Sequence, residues 1–227
     1  MFETFHHWSW SQLTTYRTCP YQAYLRYLVH SPQPPRDAKD AAERGIRVHQ
    51  SSEDFLNKGT ALCKELMPLE ELYVSLIDAR EAGAKVTAEK RDYFDKNWNV
   101  CEKGDHWLVV IKDISVSGPM NLTIDLKTGR KFGNEVKHFE QTRLYSITEW
   151  CIDPNYDEYK AELWYADQVD VSEHTFVGEQ LEHARSMLDF EVQHMMKDKI
   201  FQPRPSKAAC KYCPFSPRGT GACPVGV

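Results

Sequence analysis

The sequence predicts an α/β fold in which a central mixed β-sheet is flanked by helices. Three observations carry this reading. The first third of the chain has helical periodicity, the middle is built of short β-branched segments, and a long amphipathic stretch follows them. Ser9 or Ser11 can cap a helix through SQLTTYRTCPYQAYLRYL, with Pro20 interrupting or kinking it. SPQPP (31–35) is a loop. A second helix is expected from about Arg36 to Asn57, with Ala42, Gly45, Ile46 and His49 on one face, and a third over roughly Leu62 to Ala82.

Strands are expected over Val86–Phe94, His106–Val116, Leu122–Thr128 and Glu158–Ala166. SGPMN (117–121) is turn chemistry, so the second and third strands form a hairpin. Glu135–Cys151 has helical spacing. A long helix over about Thr175–Lys197 presents Leu181, Ala184, Leu188, Val192 and Met195 as its apolar stripe. From Pro203 the tail is rich in Pro, Gly and Cys. The parts expected are a helical 1–85, a sheet core over 86–170, and a C-terminal helix with a Cys-rich tail over 171–227, all within one domain.

Composition excludes several classes. With 227 residues, 41% hydrophobic and 27% charged, the chain has the make-up of a soluble globule, not of a disordered, collagenous or coiled-coil protein. Its longest apolar run, Leu108–Ile111, is far too short for a bilayer, so no membrane contact is expected. The opening MFETFHHWSW lacks the pattern of a secretory signal, which makes a cytoplasmic location the expectation. Seven cysteines cannot all pair as disulfides, and thiols in a reducing compartment serve metals or catalysis. The net charge of -5 argues against coating nucleic acid by bulk charge, but not against a locally basic groove. No phosphate-binding G-x-x-x-x-G-K-[ST] loop occurs, so an ATP-driven motor would have to be another polypeptide.

The hairpin brings chemistry together. Centred on Pro119, it sets Asp113 opposite Asp125, with Cβ atoms about 4.5–5.5 Å apart. Asp125 and Lys127 share a strand face. Two carboxylates in apolar surroundings repel unless a cation lies between them, and Mg²⁺ or Mn²⁺ suits such oxygen ligands. The register matters, because a slip by one residue would separate the pair.

IDLKTGR (124–130), preceded by IKD (111–113), resembles the core of the PD-(D/E)XK nucleases. The RecB-like branch is the closer likeness. It carries a metal-binding His on an upstream helix, matched by His49 in GIRVHQ, and a Q-x-x-x-Y helix, matched by Gln141 and Tyr145. The resemblance implies a restriction-endonuclease-like core. It also implies that His49, Asp113, Asp125 and the backbone carbonyl of Leu126 hold the metal, that Lys127 assists the attacking water, and that Gln141 and Tyr145 orient substrate. The branch usually places a Gly shortly before its first metal Asp, where this chain has Val110 and Ile111. Asp105 is therefore a rival for that role and Glu89 a more distant one.

The tail supplies Cys210, Cys213 and Cys223, one short of a closed four-ligand site, and Cys19, also followed by proline, is the expected fourth. Spacing alone allows zinc or iron–sulfur. The long separation resembles iron–sulfur RecB-like nucleases, such as the AddB nuclease domain and the CRISPR-associated exonucleases, and implies a 4Fe–4S cluster clipping the chain ends. Cys63, Cys101 and Cys151 read as small buried hydrophobes.

Basic residues cluster at Lys127, Arg130, Lys131, Lys137 and Arg143, opposed by Glu135 and Glu140, and again between Lys197 and Arg218. Phosphate contact follows, with Arg130, Lys131 and Arg143 as DNA-binding candidates. The expected activity is metal-dependent hydrolysis of DNA, by resemblance as a single-strand exonuclease, beside a helicase, recombination or CRISPR partner. The alternative is a non-catalytic iron–sulfur module that binds DNA or such a partner.

Overall fold

A computed structural model describes residues 3–35, 41–129 and 131–227. Its centre is a five-stranded sheet in chain order, β1 (Lys85–Phe94), β2 (Leu108–Ser117), β3 (Leu122–Lys127), β4 (Tyr159–Tyr165) and β5 (Asp170–Phe176). All neighbouring pairs are antiparallel except β3 and β4, which run parallel. A parallel pair needs a crossover, and α5 (Glu135–Ile152) supplies it.

Two apolar cores cover the two faces. On one, Val48 and Leu56 of α3 (Ala41–Lys58) and Tyr73 and Leu76 of α4 (Glu70–Glu81) pack on Ile114, Val116, Ile124 and Leu126. On the other, α1 (Trp10–Thr18), α5 and α6 (Gly178–Lys197) pack on Phe94, Leu108, Val110 and Tyr159. The expected stripe of α6, from Leu181 to Met195, is buried there.

Several expected elements differ. The first helix is two: Cys19 is extended (φ -160, ψ 111) and Pro20 opens α2 (Pro20–Tyr27). A residue before proline is driven out of the helical region, and proline is well placed at a helix start. Ser9, not Ser11, caps α1 by accepting the Gln12 amide. The third helix shortens to α4, preceded by a 3₁₀ turn at Met67–Leu69, because Pro68 cannot donate within a longer helix. The sheet gains β5, which takes the start of the expected last helix. DVSEHTF is a polar edge strand, and a polar edge gives no hydrophobic alternation to read. In the tail, α7 (Lys207–Lys211) carries Cys210. Cys63, Cys101 and Cys151 are half-buried rather than buried.

The edge strand β1 and its neighbour β2 change face partway along. Ala88 and Ile114 belong to the α3–α4 side, yet Lys90 and Lys112, two residues away on each strand, bind Glu149 of α5 on the other side. Between them lie Glu89 and Asp113, and Glu89 has φ +49. A side chain other than glycine is costly there, and such local reversals re-aim side chains.

Below the kink lies a charge cluster. Lys112 is fully buried and pairs with Glu149 and with Asp92 (2.9 Å), while Lys90 reaches both carboxylates and Asn121 donates to Glu149 (3.3 Å). Removing one partner from such a cluster strands a charge, so Lys112→Ala is expected to lose about 3–5 kcal/mol in urea unfolding. A loss below about 1 kcal/mol would show that the cluster does not hold the kink.

Candidate active site

The kink turns Glu89 and Asp113 toward α3. There the His49 Nδ1 lies 3.3 Å from Asp113 Oδ1 and 3.6 Å from Glu89 Oε1. Ligand atoms of His49, Glu89 and Asp113 all fall within 4.8 Å of one another, a spacing that suits one divalent cation. They open onto a cleft of about 810 Å³, also lined by Gly45, Ile46 and Gln50. Gly45 passes close to the end of β3, where a Cβ would stand 3.4 Å from Thr128 Oγ1, an ordinary contact.

The hairpin register is the expected one, with Ile114 opposite Ile124, Ser115 opposite Thr123 and Val116 opposite Leu122. The ladder stops one pair short of Asp113 and Asp125. Asp113 Oδ2 instead accepts the Leu126 amide at 2.7 Å, replacing a backbone bond with a side-chain one.

Asp125 lies beside this group, close enough for its charge to act on His49, and joins a closed ring with α5. Its Oδ2 lies 2.5 Å from Lys127 Nζ. Lys127 donates to Gln141 Oε1 (2.9 Å), Gln141 Nε2 donates to Tyr145 (2.7 Å), and the Tyr145 hydroxyl donates to Asp125 Oδ1 (3.3 Å). Only one orientation of the Gln141 amide satisfies both neighbours. Tyr145 is buried, so its hydroxyl is committed to this ring.

Electrostatics mark the same place. Burial and the Asp113 charge raise Asp125 to about 6, against the opposing pull of Lys127 and His49. Its Oδ2 is buried with no hydrogen bond of good geometry despite the close ammonium. Burial alone would lower His49. Hydrogen bonds to Asp113 and Glu89, with the charges of Asp113 and Asp125, outweigh it and raise the imidazole to about 10. A carboxylate-rich, half-closed site that holds a proton this strongly fits a cation.

Glu89, the more distant rival in the sequence, is the third member of this group. In the β1 register its number falls opposite Asp113, but only the kink makes the two converge. Asp105 lies in the turn before β2, outside this group. Lys131 pairs with Asp170 (2.5 Å) and sits over the Tyr165 ring. Arg143 stacks over Phe139 and lines a separate groove with Trp10, Arg17 and Met187. Arg130 lies outside the described residues.

Cys19, Cys210, Cys213 and Cys223 line a single cavity with Tyr21, Pro203 and Phe215. The Arg204 amide lies 3.4 Å from Cys19 Sγ. Burial raises the Cys213 thiol, as does charge on neighbouring Cys19 and Cys223. No three of these sulfurs come within 4.8 Å of one another.

Residues 7–108 match the family model of the PD-(D/E)XK nuclease superfamily, a span that holds His49 and Glu89 and ends before Asp113. The mixed five-stranded sheet flanked by helices is consistent with a restriction-endonuclease-like fold. No curated protein matches the chain. Among solved structures, the protein SSO0001 is similar at 14% identity (99% of this chain, 89% of that one, TM-score 0.41). A provisionally named exonuclease from Eubacterium rectale is similar at 10% identity (85% and 80%, TM-score 0.49). An alkaline exonuclease from Laribacter hongkongensis is similar at 9% (84% and 88%, TM-score 0.35). No helix among the described residues is long and apolar enough to cross a membrane.

A cation entering this site must displace the His49 proton. Below about pH 10 that proton competes, so Mn²⁺ affinity is expected to rise with pH between 6 and 9, by up to about tenfold per unit. It should fall further as Asp125 protonates below about pH 6. Calorimetry in buffers of different ionisation heat would show the released proton, and Glu89→Gln should weaken binding. A pH-independent affinity would contradict the assignment.

Proposed function

We propose that the protein is a metal-dependent nuclease of the PD-(D/E)XK superfamily, RecB-like branch, that hydrolyses phosphodiester bonds in DNA as a single-strand exonuclease. The observation that carries the reading is the convergence of His49, Glu89 and Asp113 beside the ring of Asp125, Lys127, Gln141 and Tyr145. His49, Asp113, Asp125 and the Leu126 carbonyl, with Glu89, would hold Mg²⁺ or Mn²⁺. Such a cation lowers the pKa of water and offsets charge developing on phosphorus.

The protein groups do the rest. Lys127, fixed between Asp125 and Gln141, presents an ammonium that positions the attacking water and neutralises negative charge as it forms. Gln141 and Tyr145 hold Lys127 and Asp125 in place, and through them the substrate. Lys131, Arg130 and Arg143 are assigned to the DNA backbone. The restriction to single strands and the exonuclease mode rest on the family likeness. A helicase, recombination or CRISPR protein would be the partner, in the cytoplasm.

The four cysteines are assigned to a 4Fe–4S cluster. Their shared cavity supports one common metal group, and the family likeness carries the choice of cluster over zinc. Its work would be structural, since it ties Cys19 to the tail and closes a long loop.

Purified protein with Mn²⁺ should degrade end-labelled single-stranded DNA. Asp125→Ala and Lys127→Ala should each lose at least about a hundredfold in rate. Equal activity in all three would sink the reading. Anaerobically purified protein should be brown, and Cys19→Ser should lose the colour. A colourless, zinc-containing wild type would remove the cluster assignment alone.

A further inference from the structure

His138 belongs to none of the roles above, yet it stands on the working face of α5. It precedes Gln141 by three residues and Tyr145 by seven, so all three lie along one stripe of the helix. Gln141 and Tyr145 reach Lys127 and Asp125 on β3. His138 reaches the next strand, where its Nδ1 lies 2.9 Å from the Tyr165 hydroxyl on β4. Tyr165 is the ladder partner of Lys127.

The direction of that hydrogen bond can be argued. Tyr165 is buried, and burial with the nearby charges of Asp125, Glu135 and Asp170 keeps its phenol protonated. Burial, then the charges of Lys127 and Lys137, lower His138 to about 4, so the ring is neutral. Were Nδ1 the donor, the buried phenol proton would have no acceptor among the described residues. Tyr165 is therefore the donor, Nδ1 accepts, and the ring hydrogen sits on Nε2. That nitrogen has no protein partner among the described residues, and His138 is only half-buried.

The surroundings favour an anion. His138 lies in the first turn of α5, where helix amides carry partial positive charge. Lys127 and Lys137 act on its ring electrostatically, and Lys131 sits over the ring of its partner Tyr165. The opposing carboxylates are engaged: Glu135 accepts the Gly133 amide (2.7 Å) and Asp170 pairs with Lys131. Three residues, a rise of about 4.5 Å, separate His138 from Gln141 along the helix, so a strand lying along α5 would meet them in turn.

We propose that His138, oriented by Tyr165, donates from Nε2 to the phosphate next to the one being cleaved, and so sets the register of the DNA strand. The inference rests on the nuclease reading and deepens it. His138 is a substrate-binding residue and Tyr165 a positioning residue behind it.

The test compares wild type with His138→Ala, His138→Gln and Tyr165→Phe on a single-stranded oligonucleotide with Mn²⁺. A second substrate, bis(p-nitrophenyl) phosphate, has no neighbouring phosphate. His138→Ala should raise KM for the oligonucleotide roughly tenfold, the effect of one hydrogen bond to a charged group, with kcat within about twofold. His138→Gln, whose amide can donate from a similar place, should recover most of that loss. Tyr165→Phe should show a smaller rise in KM. None of the three should alter turnover of bis(p-nitrophenyl) phosphate or the melting temperature by more than a few degrees. An unchanged oligonucleotide KM in His138→Ala, or equal losses on both substrates, would overturn the inference while leaving the nuclease reading intact. A wild type inactive on both substrates would overturn the nuclease reading, and this inference with it.

Discussion

The hydrogen bond from the Leu126 amide to Asp113 organises the site. A side chain takes a donor that the β2–β3 ladder would otherwise use, at the point where β1 and β2 reverse their faces. Asp113 spends one oxygen on β3 and leaves the other toward His49 and Glu89. A regular hairpin would have set Asp113 and Asp125 side by side on one face. The kink turns Asp113 toward His49 of α3 while Asp125 keeps its partners Lys127 and Tyr145, so both helices can supply partners to a short length of β3. The unfavourable φ of Glu89 is the strain that accompanies this arrangement. The buried Lys112 and the half-buried Lys90, held by Glu149 and Asp92, offset it by anchoring both strands just beyond the reversal.

Charge compensation explains why the carboxylates tolerate one another. Asp125 is buried, yet one oxygen faces an ammonium and the other a phenol. Asp113 and Glu89 share the His49 proton. The protonated imidazole and a divalent cation are thus alternative answers to the same repulsion. The same carboxylates that would bind the metal also raise the cost of clearing the proton from His49.

Much of this was legible from residue order, and the unread parts have physical causes. The hairpin register could be read because SGPMN fixes the turn and the pleat has a period of two. Asp125, Lys127, Gln141 and Tyr145 could be read because a strand face and a helix turn place them without long-range information. Glu89 could not, since its side chain reaches the site through a backbone reversal that no periodicity announces. β5 was hidden by its polar edge. Cys19 ending one helix while Pro20 opens the next was half visible, because proline marks a break without saying whether it is a kink or a stop. Tyr145 was expected near substrate, but only the packing of α5 on β3 shows that its hydroxyl is already spent.

The chain ends bear on the site through α1. Arg17, two residues before Cys19, bridges Glu140 of α5 and Glu191 of α6, and its carbonyl accepts from Arg204 of the tail. Tyr16 donates to Asp198 at the end of α6 (2.7 Å). Glu140 immediately precedes Gln141, so the stretch that fixes Cys19 also fixes the register of the helix that holds Lys127. These pairs are partly exposed, and singly each contributes little. Their common origin in α1 makes them act together, and anything that pins Cys19 to the tail limits the motions of α1 that would break them. The proposed cluster therefore has a mechanical reason to lie far along the chain from the carboxylates: it restrains α1, and α1 restrains α5. Losing the cysteine clip would weaken the alignment of Gln141 with Lys127 before it unfolds the sheet, because the sheet has its own two cores and the Arg17–Glu140 pair lies directly beside Gln141.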